Sequence, residues 1–102
     1  MKALLITPET QSVESVEINH IDDIKNLIGF ETIESDEIDD NGDRLYFDEE
    51  CFLRGSAGRF QIDSIIPVSG KGVIIGSANA ANSLADIKGD IENIKSRIQY
   101  LS

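Results

Sequence analysis

Ser69-Gly70-Lys71-Gly72-Val73-Ile74-Ile75-Gly76 is the stretch on which the fold turns. Val73-Ile74-Ile75 is the most apolar strand candidate of the chain. A strand with no polar alternation is buried on both faces, which places it centrally in a sheet. The glycines before it invite a phosphate-loop reading that fails on spacing. The Walker pattern needs Ser or Thr after Gly-Lys, whereas Gly72 follows Lys71, and Ile65 stands where the earlier glycine belongs. Gly70, Gly72 and Gly76 also miss the dinucleotide fingerprint by one residue. A strand follows them, so no helix N-terminus points at an anion. The glycines read as a tight turn into a central strand.

Working outward, the other elements read as partners for that strand. Lys2 to Thr7 is rich in Leu and Ile, Pro8-Glu9-Thr10-Gln11 supplies turn chemistry, and Val13, Val16 and Ile18 mark a second strand, giving a hairpin over 2–18. Asn19 is a cap candidate for a helix over 20–28. Asp22 and Asp23 suit its positive end, Ile21, Ile24, Leu27 and Ile28 share one face, and Gly29 stops it. Strand patterning resumes at Phe30, Thr32, Ile33 and Glu34, and Asp40-Asn41-Gly42-Asp43 is a hairpin signal. Leu45-Tyr46-Phe47, Cys51-Phe52-Leu53, Phe60-Gln61-Ile62 and Ile65-Ile66-Pro67-Val68 are further short strands. The class expected is α+β, a mostly antiparallel sheet or half-barrel with one short helix after the first hairpin and a C-terminal helix.

That C-terminal helix is expected over 83–101. Ser83-Leu84-Ala85-Asp86 has capping-box spacing, and Leu84, Ile87, Ile91, Ile94, Ile98 and Leu101 recur at spacings 3, 4, 3, 4, 3. Packing of these six residues on the protein's own sheet is the first reading; because two rows at heptad spacing suit helix-to-helix contact, a homodimer seam is the alternative. Gly89 within such a helix costs about 1 kcal/mol relative to Ala.

The chain has 102 residues, nineteen acids, nine bases and a net charge of −10. The length suits one domain over 1–102. The charge argues against direct binding to nucleic-acid backbones or anionic membranes. One cysteine forbids an internal disulfide, and no signal peptide or long apolar run is read, so a cytoplasmic protein is expected. The charge is local. Residues 1–50 carry −12 and residues 51–102 carry +2. Its densest part is Glu31, Glu34, Asp36, Glu37, Asp39, Asp40, Asp43, Asp48, Glu49 and Glu50, opposed only by Arg44. Such a face serves solubility or a basic protein partner.

Three weaker constellations sit beside it. Setting Gly42 at position six of a calcium loop puts Glu37, Asp39, Asn41 and Asp43 at ligand positions, but Asp48 replaces the required Glu at the end, so calcium binding would be weak. Arg54 and Arg59 frame a small-residue loop and, with Lys71, are candidate anion-binding residues. Catalytic material is sparse. His20 is the only histidine, and the acids before Cys51 would raise its thiol pKa, the wrong direction for a nucleophile. No catalytic residue, metal site or cofactor is assigned.

Lys2-Ala3-Leu4-Leu5-Ile6, Ile28-Gly29-Phe30 with Ile33-Glu34, Leu45-Tyr46-Phe47-Asp48-Glu49-Glu50, and Gly70-Lys71-Gly72-Val73-Ile74-Ile75-Gly76 together resemble a family of small bacterial, phage and mobile-element proteins, domain of unknown function 3846 and its relatives. The resemblance covers roughly residues 2–76. Cys51 stands where such proteins often have glycine. The resemblance implies an intracellular accessory protein and carries no function residue by residue. The sequence therefore points to a non-enzymatic interaction module presenting an acidic face to a basic partner, with a small anionic-ligand binder as the alternative and weak calcium binding as a third reading.

Overall fold

The structure, a computed structural model, describes residues 1–39, 42–50, 58–63, 67–77 and 84–101. The strand expected at Cys51-Phe52-Leu53, the start of the one at Ile65, and Asp40, Asn41 and Arg54 lie outside the described residues. The fold is α+β, with every strand pair among the described residues antiparallel. In the larger sheet, β1 (Lys2–Thr7) pairs with β2 (Ser12–Glu17) as the expected hairpin. At the other side, β3 (Ile33–Glu37) pairs with β4 (Arg44–Asp48). Two strands of the second sheet follow, β5 (Arg59–Ile62) and β6 (Val68–Ser69). Then β7 (Gly72–Ser77) enters between β1 and β4, giving the order β2-β1-β7-β4-β3. Its far end also pairs with the short β8 (Leu84–Ala85).

The central place of β7 follows from its lack of a polar face. Val73, Ile74 and Ile75 are all fully buried, and so are Ala3 and Ile6 of β1. Alternation sends these side chains to opposite sides of the sheet. Ala3, Leu5, Tyr46, Val73 and Ile75 pack with Ile24 and Ile28 of α1 (Ile21–Ile28). Leu4, Ile6, Leu45 and Ile74 pack with Phe60, Ile62 and Val68 of the second sheet and with Ile94 of α2 (Ile91–Arg97). The larger sheet is thus the middle of three layers. The helix α1 is capped one residue after the expected position. His20 is its N-cap, and the Asp23 carboxylate accepts hydrogen bonds from the backbone N–H groups of Asn19 and His20 at 2.8 and 3.3 Å. Those bonds hold the Asp23 carboxyl below the usual aspartate value. Gly29, at φ 92°, ends the helix in the left-handed region.

The continuous helix expected over 83–101 is not formed. Helix α2 covers Ile91–Arg97 only, Leu84 lies in β8, and Ile98 and Leu101 lie in β9 (Ile98–Leu101), which pairs with β5 to complete the second sheet in the order β6-β5-β9. Two local causes divide the segment. The N–H groups of Lys88 and Gly89 are bound by the Asp43 side chain, and the Asp90 carboxylate accepts from the Asn93 N–H, which starts α2 afresh. After Arg97, Ile98, Gln99 and Tyr100 meet Ile62, Gln61 and Phe60 across a sheet, where β-branched and aromatic residues pack well. The candidate seam is therefore no helical row. Ile87, Ile91, Ile94 and Ile98 pack into the core between the two sheets, whereas Leu84 packs on the α1 side. The homodimer expectation loses the surface on which it rested.

Candidate functional site

The structure disperses the nine described acids of 31–50. Asp43 is fully buried, and its carboxylate accepts from the N–H groups of Lys88 (2.9 Å) and Gly89 (2.8 Å), tying the start of β4 to the approach to α2. Asp48 is also buried, with Oδ1 accepting from the Thr32 hydroxyl at 2.7 Å and the Glu50 N–H at 3.2 Å. Asp39 is half-buried against Arg97, and Asp40 lies outside the described residues. Glu31 and Glu37 are exposed and face single bases, Lys25 at 3.6 Å and Arg44 at 3.4 Å. Glu34, Asp36, Glu49 and Glu50 are exposed as well. The face expected from ten residues contracts to the outer strand β3 and the end of β4.

On β3, Glu34 and Asp36 sit at alternating positions. Glu34 is opposite Phe47 and Asp36 opposite Leu45, so neither has a base across the strand pair. The bonds from Ile38 N–H to the Asp43 carbonyl and from Glu49 N–H to the Thr32 carbonyl show that even-numbered residues of this segment bond inward to β4. Ile33, Ser35 and Glu37 therefore turn their backbone groups outward. Two of these are occupied. The Ile33 N–H donates to the Glu31 carbonyl at 3.1 Å, and Arg44 reaches over to donate from Nη2 to the Ser35 carbonyl at 3.2 Å and from Nε to its hydroxyl at 3.0 Å. A charged, partly capped edge resists pairing with other strands. The edge thus presents its acidic side chains rather than a free hydrogen-bonding ladder.

Arg97, which the sequence reading missed, organises a second charged group. Its Nη1 and Nη2 bind the two oxygens of Asp39, each at 3.0 Å, its Nε and Nη2 bind Asp63, and Nη2 also donates to the Ile38 carbonyl. The Arg97 guanidinium holds the Asp63 carboxyl below the usual aspartate value, and the two aspartates raise the Arg97 pKa in turn. Three segments far apart in the chain are joined here: the end of β3, the end of β5 and the end of α2. No local pattern marks such a cross-link.

The third feature is a cavity of about 140 Å³ at one end of the larger sheet, on the α1 side. Ile6 and Phe47 both pair with Gly72. Continuing the register by one residue sets Lys71 between Thr7 and Asp48, with Ile33 beyond Asp48. Ile28, Phe30 and Pro8 form apolar walls, the buried Asp48 and Ser69 supply polar groups inside, and Glu9 and Lys71 are exposed at its margin. Lys71 makes no ion pair or hydrogen bond among the described residues.

Of the three bases expected to act together, Arg54 lies outside the described residues. Lys71 lines this cavity and Arg59 does not. Arg59 is exposed, and in the second sheet it pairs with Leu101 and with Ser69, which itself lines the cavity. Of the expected calcium loop, Asn41 lies outside the described residues. Asp39 and Asp43 serve Arg97 and the 88–89 backbone, Asp48 ends a strand, and among the described residues no three His, Cys, Asp or Glu side chains converge on a metal position. Among the described residues no helix is long and apolar enough to cross a membrane. No protein-family model matches the chain, and no curated protein or solved structure matches it.

Proposed function

We propose that this chain is a non-enzymatic protein-interaction module, of bacterial or phage origin, whose β3 edge binds a basic protein partner. The observation that carries the reading is the exposed pair Glu34 and Asp36, which alternate on an outer strand and lack any base opposite them. Uncompensated surface charge does little for folding and is available to attract a partner and fix its register. The neighbouring Glu31 and Glu37 have only long contacts to single bases, which a more basic surface can displace. The same charge disfavours nucleic-acid backbones and anionic membranes as direct partners.

The test compares the wild-type chain with the double variant Glu34→Gln, Asp36→Asn. Both changes are on the surface and should alter stability by no more than about 0.5 kcal/mol. Immobilised wild-type protein is expected to retain a basic protein from bacterial lysate at low salt and release it at high salt, and the variant should retain much less. Equal retention by the variant, or retention indifferent to salt, overturns the reading.

A further inference from the structure

We propose that the cavity between Lys71 and Asp48 binds a small zwitterion, a free α-amino acid with a small side chain. The inference rests on a different part of the molecule from the β3 edge, at the opposite side of Asp48 in the register. Size limits the class first. Sites for drug-sized ligands run to roughly 300–1,000 Å³. At about 140 Å³ this cavity is too small for a nucleotide. It matches the liquid volume of about five waters.

Charge limits the class further. A simple anion would meet Lys71 but also the carboxylates of Asp48 and Glu9, and a simple cation would meet those acids but also Lys71. A molecule carrying both charges a few bonds apart satisfies both ends. Its carboxylate lies toward Lys71, which has no acidic partner among the described residues, and its ammonium lies toward Asp48 and the Ser69 hydroxyl. Asp48 is held for this role by Thr32 and by the Glu50 N–H, so the acid is positioned before any ligand arrives. The walls decide the rest. Ile28, Phe30 and Pro8 offer hydrocarbon to a short side chain.

The experiment is a two-dimensional amide NMR titration of the full chain with glycine, L-alanine, L-serine, L-threonine and L-valine. Acetate and methylammonium, which carry one end each, are the controls. At least one amino acid should shift the amides of Glu9, Phe30, Asp48, Ser69 and Lys71 saturably, and bind about tenfold or more tighter than either control. Lys71→Gln should weaken that binding about tenfold with little change in melting temperature, because Lys71 is exposed and makes no hydrogen bond or ion pair among the described residues. Asp48→Asn should weaken it comparably. Should that variant fail to fold through loss of the Thr32 contact, Lys71→Gln still decides. Absence of saturable shifts with all five amino acids overturns the proposal. So does acetate binding as tightly as the best of them, or binding unaffected by Lys71→Gln.

Discussion

Asp36 and Asp43 belong to the same acidic run, yet one stands in solvent on an outer strand and the other is fully buried. Residue type and neighbours in sequence are nearly equivalent. The difference lies in what the rest of the chain brings to each. Opposite Asp36 is Leu45, which offers its carboxylate nothing. Against Asp43 lie two consecutive backbone N–H groups, those of Lys88 and Gly89, from 45 and 46 residues away. A buried carboxylate is tolerated where charge-assisted bonds replace its water, and there it becomes a structural fastener rather than part of a face. Net charge counts both alike. Only their donors separate them.

The largest expected effect follows from that contrast. Asp43→Ala strips two buried N–H groups of their acceptor and opens a void, for a loss of about 3 kcal/mol. Asp36→Ala should change stability by no more than about 0.5 kcal/mol. Urea unfolding midpoints of the two variants measure the gap directly, and similar losses in both would break the distinction between fastener and face.

The parts of the fold that are legible in the sequence are those decided locally. Val73-Ile74-Ile75 and Ala3-Leu4-Leu5-Ile6 are continuously apolar because both faces of their strands are covered. Helix α1 is marked by Ile24 and Ile28 on one face and by Gly29 at its end. The C-terminal segment misled because a 3-4 spacing of Leu and Ile is satisfied equally by a loop, a short helix and a strand placed in succession. The signals against a single helix were Gly89 followed by the capping Asp90, and the β-prone Ile98-Gln99-Tyr100. The candidate site was half legible. Lys71 and the acids of β3 are visible as residue types, but the placing of Lys71 beside Asp48 at a cavity, the burial of Asp43 and the clamp on Arg97 all depend on register between distant segments.

Gly89 supplies the next test, because the two readings of the C-terminal segment give it opposite signs. In a continuous exposed helix, Gly89→Ala stabilises by about 1 kcal/mol. In the structure, an added Cβ would sit 3.0 Å from Ile94 Cδ1 and 3.1 Å from Asp43 Oδ2, tighter than ordinary contact. The Ile94 methyl can yield, but the Asp43 oxygen is fixed by the bond it accepts from the Gly89 N–H. A destabilisation of about 1–2 kcal/mol is therefore expected from overpacking. Thermal unfolding of this one variant separates the two readings by sign alone.

The smallest expected effect concerns Asp63, which lies between the two extremes: paired like Asp43, yet 42% exposed like the acids of the edge. Hydrogen bonds from Arg97 lower its carboxyl pKa in the folded state. A depressed folded value means that the unfolded chain binds the proton more readily, so folding gains from this group above the ordinary aspartate pKa of about 3.9. The gain is lost as pH falls through the lower folded value, while Arg97 stays charged throughout. Asp63→Asn should therefore lose stability at neutral pH, by no more than about 1 kcal/mol given its exposure to screening water. Wild type and variant should converge as pH drops below about 4, and the gap at pH 7 should narrow in high salt. Urea midpoints across pH 2–7 would show it. A gap that persists in acid would mean that Asp63 acts through packing at the end of β5 rather than through its charge, which would move it to the side of the buried fasteners.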